Sequence, residues 1–94
     1  MRKEMDPKIQ AAATSYAEQF SGGTTLAHFV ALRLEGSGVI ARIEYDERRA
    51  KAWAYQSGGE CFAVQPIAGG TGATIARLKP LTAVQWRAMQ IGRR

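Results

Sequence analysis

The chain contains one histidine, His28, and one cysteine, Cys61, and these are the first candidates for nucleophilic or acid–base chemistry. A thiolate nucleophile needs a base beside it, and a catalytic histidine needs a partner that orients it. The alternation of neighbouring residues predicts that His28 lies on the inner face of a sheet and Cys61 on its opposite face. They therefore cannot form a dyad, and we interpret His28 as a core or rim histidine and Cys61 as an inert thiol without activating basic neighbours.

The stretch GGTGAT is the second candidate, because glycine-rich turns hold phosphate in many proteins. A P-loop requires a lysine directly after its last glycine, where this chain has Ala73. A dinucleotide-binding loop runs into a helix within a βαβ unit, whereas the next predicted helix begins beyond Pro80. We interpret the stretch as a loop between the last strands, and we expect no nucleotide cofactor.

The acidic residues also give little indication of a catalytic or metal-binding site. Asp46 and Glu47 adjoin Arg48 and Arg49, a pattern typical of a solvated turn. One histidine, one cysteine and scattered acidic residues have no metal-ligand spacing. We therefore expect no metal, no cofactor and no catalytic residue. A small enzyme or a nuclease toxin is the alternative that the lone histidine argues against.

Length, charge and hydropathy set the broad class. The 94 residues fit a single domain, 1–94, and the 46% hydrophobic content is that of a globular chain. No apolar run approaches the roughly 18 residues that span a bilayer, and the start, MRKEMDPKIQ, lacks the apolar segment of a secretory signal. With a single cysteine, these features favour a cytoplasmic protein. The net charge of +5 favours a polyanionic partner, although the basic residues are spread along the chain.

Two helices are predicted near the ends of the chain. The stretch MDPKIQAAATSYAEQFSGG predicts a helix from about residue 6 to 21, with Asp6 as N-cap and Pro7 in the first helical position. The stretch PLTAVQWRAMQIG predicts a short closing helix, begun by a capping box of Thr82 and Gln85.

Between these helices the apolar residues alternate with a period of two, which predicts strands. TLAHFVALRLE and VIARIEYD form a hairpin around a Gly36–Ser37 turn. Its register pairs Leu34 with Val39, Leu32 with Ala41, and Val30 with Ile43. AKAWAYQSGGECFAVQPI predicts a second hairpin around Gly58–Gly59, and GATIARL a short, irregular edge strand.

The predicted fold is therefore α+β: an N-terminal helix packed on an antiparallel sheet of four strands, or five with the edge strand, formed by two consecutive hairpins, and a short C-terminal helix. The turn YDERRAK between the hairpins has no glycine that would set its length. A longer turn places Trp53 and Tyr55 on the inner face with Val30 and Phe62. We favour it because burying a large apolar side chain contributes about 1.5–3 kcal/mol.

The outer face of this sheet is the predicted binding surface. It is rich in alanine, which is depleted in strands, and such a flat surface suits a helix, a second copy of the sheet or a partner protein. Whether the C-terminal helix covers it is left open. The residues predicted to bind the partner are Arg33, Arg42, Phe29, Ile40, Ala52 and Ala54.

These features favour a non-catalytic protein that engages a protein or nucleoprotein complex, with a homodimer through the alanine-rich face as a further expectation. Phage and mobile-element inhibitors, anti-CRISPR proteins among them, are analogous in size and type. The alternative is direct nucleic-acid binding, because helix, strands and closing helix is the element order of double-stranded RNA-binding domains. Residues expected to contact nucleic acid in that case are Arg48, Arg49, Lys51, Arg77 and Lys79.

Overall fold

The computed structural model describes residues 4–20, 26–69 and 71–91. The helices in these residues are α1 (Pro7–Gln19), α2 (Glu47–Ser57) and α3 (Ala83–Ile91). The strands are β1 (His28–Glu35), β2 (Gly38–Glu44), β3 (Glu60–Pro66) and β4 (Ala73–Arg77). They form one antiparallel sheet in the order β2-β1-β3-β4. The predicted α+β class, N-terminal helix, four-stranded antiparallel sheet and short C-terminal helix are confirmed.

Helix α1 begins where its cap predicts. The Asp6 carboxylate accepts a hydrogen bond from the backbone N–H of Lys8 at 2.8 Å, and Pro7 occupies the first helical position. One side of α1 packs on the inner face of the sheet and closes the main core. The buried residues of this core are Ile9, Ala13, Val30, Leu32, Phe62 and Val64.

The first hairpin has the predicted register. Leu34 pairs with Val39, Leu32 with Ala41 and Val30 with Ile43. Gly36, in the turn, has a φ of 59°, a left-handed value that glycine adopts without steric cost.

The predicted second hairpin is wrong, because residues 47–57 form α2. The Asp46 carboxylate caps the helix by accepting from the backbone N–H of Arg48 at 2.9 Å. Gly58 ends it in the left-handed conformation, with φ 73° and its N–H bonded to the carbonyl of Ala54. Alanines at 50, 52 and 54 match a strand period of two, but residues 50 and 54 also lie one helical turn apart. Two good caps and the high helix propensity of alanine decide for the helix.

Because residues 47–57 form a helix, they cover the outer face of the sheet and do not belong to the sheet itself. Ala50 and Ala54 of α2 pack against Ala31 of β1 and Cys61 of β3, and all four side chains are buried. The small side chains allow the helix to approach the sheet closely. The alanine-rich face is thus covered within the chain by α2.

Helix α3 lies beside α2 at the periphery. Its predicted capping box is confirmed: the Thr82 N–H donates to Gln85 Oε1 at 2.9 Å, and the Gln85 N–H donates to Thr82 Oγ1 at 3.1 Å. Trp86 stacks on Tyr55 of α2 with ring centroids 5.1 Å apart. Within the described ranges, we find no helix whose length and apolar character would let it cross a membrane.

Candidate binding groove on the outer face

A groove of about 400 Å³ lies on the outer face of the sheet, between β2 and α2. We call it the β2–α2 groove. One wall is strand β2, which follows the Gly36–Ser37 turn, and the other is helix α2, which begins after the Asp46 cap and ends at Gly58. The residues that line it are Arg42, Glu44, Arg49, Ala52, Trp53 and Gln56.

The helical wall consists of residues spaced as one face of a helix. Arg49, Ala52, Trp53 and Gln56 follow at intervals of three, one and three residues, so that they share one side of α2. The Asp46 cap sets where the helix begins and hence which residues turn towards β2. Arg49 is exposed and lines the groove.

The strand wall carries an ion pair. Arg42 Nε donates to Glu44 Oε2 at 2.8 Å, since residues two apart on a strand share a face. The Arg42 side chain is 53% exposed and that of Glu44 15%. The carboxylate therefore lies deeper in the groove, and the guanidinium is presented to solvent.

Arg33 links the two walls. It pairs with Ile40 across the hairpin, and its guanidinium carbon lies 5.2 Å from the centroid of the Trp53 ring. This cation–π contact contributes about 0.5–1 kcal/mol at a partly exposed site. One guanidinium nitrogen also forms an ion pair with Glu35 at 2.9 Å.

The Arg33 Nε atom is buried and has no acceptor among the residues that the structure describes. A buried N–H without a hydrogen bond costs about 1–3 kcal/mol relative to one that is satisfied. The Trp53 ring therefore holds the guanidinium in place with one donor unused.

The structure brings together half of the predicted partner-binding residues. Arg42 and Ala52 line the groove, and Arg33 lies on its Trp53 wall. Phe29 is half-buried against the alanine cluster, and Ala54 is 5% exposed inside it, so that Ala54 is not available to a partner. Ile40 lies beside Arg33 on the edge strand and is 36% exposed.

The residues predicted to contact nucleic acid do not form one surface. Arg49 faces the β2–α2 groove, whereas Arg48 and Lys51 line a separate cleft of about 350 Å³ between α2 and α3. Lys51 pairs with Glu47 at 3.0 Å. Arg77, on β4, donates to both carboxylate oxygens of Glu60, which raises the pKa of its guanidinium. Lys79 follows β4 and is exposed.

Three groove residues are not among the predicted binding residues: Glu44, Trp53 and Gln56. Trp53 and Gln56 lie in the segment whose alternation predicts a strand, with Trp53 on the inner face. The Asp46 cap and the spacing of residues 49, 52, 53 and 56 were the signals in the sequence that point to a helical face.

The two reactive side chains are both buried and lie on opposite faces, as predicted. The Nδ1 atom of His28 lies 2.9 Å from the Leu26 carbonyl oxygen, and its Nε2 atom lies 2.7 Å from the Tyr16 hydroxyl. A carbonyl only accepts, so Nδ1 carries the proton and, in the neutral ring, Nε2 accepts from Tyr16. Burial raises the pKa of Tyr16, and it raises that of Cys61 to about 11. His28 and Tyr16 are thus hydrogen-bonded to each other, and the Cys61 thiol is neutral at physiological pH.

Comparison with known proteins finds no matching family model, no matching curated protein and no matching solved structure.

Proposed function

We propose that the protein is a non-catalytic binding module whose β2–α2 groove receives an acidic, partly apolar segment of a protein or nucleoprotein complex. One observation supports this above others: Arg42 and Arg49 line the same groove as Trp53, and Arg33 stacks on the Trp53 ring. Arginine and tryptophan are the residues most enriched where interfaces concentrate their binding energy. Guanidinium groups bind carboxylates in a bidentate manner, which adds geometric specificity to charge.

The mixed charge of the groove favours a polypeptide over a nucleic-acid backbone. Glu35 and Glu44 pair with Arg33 and Arg42, so a run of phosphates would meet carboxylates as well as guanidiniums. A single carboxylate beside an apolar side chain fits the exposed Arg49 and the Trp53 ring without that repulsion. Blocking a surface of a larger complex, as an inhibitor does, requires no more than such a groove.

The test begins from a displayed peptide library selected on the immobilised protein. We expect the selected peptides to share acidic residues next to an aliphatic or aromatic residue. A labelled consensus peptide is then titrated, by fluorescence anisotropy, into the wild type and into Arg49→Glu and Trp53→Ala. Each variant should weaken binding at least tenfold, a difference of about 1.4 kcal/mol.

The matched control is Arg87→Glu, which makes the same charge change at an exposed position of α3 outside the groove. In a Trp86→Phe background, Trp53 is the remaining tryptophan, so a change in emission on binding locates the peptide at the groove. Equal loss in Arg87→Glu, or full binding by Trp53→Ala, would exclude the groove as the site.

The same titration distinguishes binding to a protein partner from the alternative function, direct nucleic-acid binding. Duplex and single-stranded DNA and RNA oligonucleotides replace the peptide, at low and at physiological salt. Binding that survives physiological salt and depends on Arg49 would favour that alternative over a protein partner. Binding that disappears with salt would mean that the net charge of +5 attracts polyanions without specificity.

A further inference from the structure

Strand β2 is an edge of the sheet and runs for seven residues, from Gly38 to Glu44. Glu35 and Gly38 flank the two-residue turn, so this pair and every second pair after it exchange hydrogen bonds across the hairpin. The backbone groups of Val39, Ala41 and Ile43 therefore point away from β1. They form a row of donors and acceptors at the edge of the sheet.

The edge has few of the features by which proteins usually block such pairing, and its two charged residues, Arg42 and Glu44, are opposite in sign. The described strand GVIARIE has no proline and no lysine, and it pairs residue for residue with β1, without a bulge. Its apolar side chains are open: Ile43 is 52% exposed, Ile40 36% and the adjoining Tyr45 65%. The opposite edge, β4, is shorter, at five residues.

We propose that β2 pairs antiparallel with β2 of a second copy about a two-fold axis at Ile43. Two four-stranded sheets would then join into one sheet of eight strands. In this register Arg42 lies opposite Glu44 of the second copy, and Glu44 opposite Arg42 of the second copy, at the pairs where side chains are closest. Ile43 meets its own copy on the other face, and Ala41 lies opposite Tyr45 of the second copy.

The charges select this register over its neighbours. An axis at Arg42 would set the two arginines directly opposite each other, which is destabilising. An axis at Ala41 would set Arg42 opposite Ile40 and form no ion pair. An axis midway between two residues is excluded, because it would break the alternation of donors and acceptors along the edge.

The axis is perpendicular to the sheet, so both β2–α2 grooves would open on the same side of the dimer. A partner with two acidic segments would then bind both grooves, with the second contact made at a raised effective concentration. The dimer itself does not depend on the function proposed above, and its test needs no partner.

The first experiment is sedimentation equilibrium of the wild type, Ala41→Pro and Ala41→Val over a wide range of concentration. The Ala41 N–H points away from β1, so proline removes an edge donor and leaves the hairpin hydrogen bonds intact. We expect a dimer for the wild type and for Ala41→Val, and a dissociation constant raised at least about tenfold for Ala41→Pro. Circular dichroism checks that all three fold alike.

The second experiment tests the register by charge reversal. Arg42→Glu and Glu44→Arg should each be monomeric, because like charges then face each other at both pairs. Mixing the two variants should restore a dimer, since each acidic strand now faces a basic one. A wild type that stays monomeric at every concentration, or an Ala41→Pro variant that still dimerises, would refute the edge interface. A mixture that stays monomeric would refute the register.

Discussion

Two adjacent glycines offer a direct test of helix α2, because a helix end and a hairpin turn use them differently. Gly58 has a φ of 73°, and an added Cβ would point into open space. Gly59 has no left-handed φ, but an added Cβ would overlap the carbonyl oxygen of Leu32 and lie 3.0 Å from Arg33 Cβ. The glycines are therefore required for different reasons, Gly58 for its conformation and Gly59 for the close approach of β3 to β1.

The expected costs of alanine follow from these two situations. At Gly58, alanine must adopt the left-handed conformation, which costs about 1–2 kcal/mol. At Gly59, the obstacle is a backbone atom in the sheet, which cannot rotate aside as a side chain would. Forcing the strands apart there corresponds to the upper end of overpacking costs, about 3 kcal/mol or more. Since a domain of this size is stable by roughly 5–15 kcal/mol, the variant should still fold.

The assay is urea unfolding of the wild type, Gly58→Ala and Gly59→Ala, followed by circular dichroism. We expect equal slopes and a clearly larger loss of unfolding free energy for Gly59→Ala. If residues 50–57 were a strand and both glycines formed its turn, both would be exposed and both substitutions would cost similar amounts. Equal losses, or a larger loss for Gly58→Ala, would therefore refute the helix and the groove built on it.

Three further predictions concern the core and the caps. Tyr16→Phe removes the hydroxyl that donates to His28 Nε2 and leaves a buried acceptor unsatisfied. The unfolding free energy, measured by urea unfolding, should fall by about 1–3 kcal/mol. No loss would mean that His28 Nε2 finds another donor. Asp46→Ala removes the cap of α2 and should cost about 1 kcal/mol, whereas Asp46→Asn, which still accepts, should cost less. Burial raises the pKa of the Cys61 thiol from 9.0 in the unfolded chain to about 11 in the folded protein. Well below pH 9 the thiol is therefore neutral in both the folded and the unfolded chain. Between pH 9 and 11 only the unfolded chain ionises extensively, and the unfolding free energy should fall by about 2–3 kcal/mol. Urea unfolding of Cys61→Ala across this range should lack that component, and an unchanged pH profile would contradict it.

The parts of the fold that could be predicted are those in which local chemistry and tertiary packing agree. The first hairpin has strict alternation on both strands and a glycine where the turn needs a left-handed φ, so its register was predictable residue by residue. The closing helix carries a reciprocal cap of Thr82 and Gln85, a signature that depends on four residues alone.

Residues 47–57 were mispredicted because two signals coincide there. Alanine at 50, 52 and 54 satisfies a period of two, and Trp53 and Tyr55 supply the aromatic residues typical of strands. The glycine pair that follows suits a hairpin as well as a helix end. Asp46, whose arginine neighbours favour a solvated turn, is the residue that distinguishes the alternatives, because its carboxylate caps a helix.

The groove likewise has one wall that could be predicted from the sequence and one that could not. Arg33 and Arg42 could be assigned to one face from the hairpin register alone, since Arg42 pairs with Ala31, which lies two residues from Arg33 on β1. Arg49, Trp53 and Gln56 join them only because α2 folds back over the sheet, a contact between segments that no local pattern specifies. A strand at 50–57 would have sent Trp53 and Arg49 to different neighbours, and no groove would exist. The binding proposal and the Gly58/Gly59 comparison therefore depend on the same helix, so the stability measurement comes before any search for a partner.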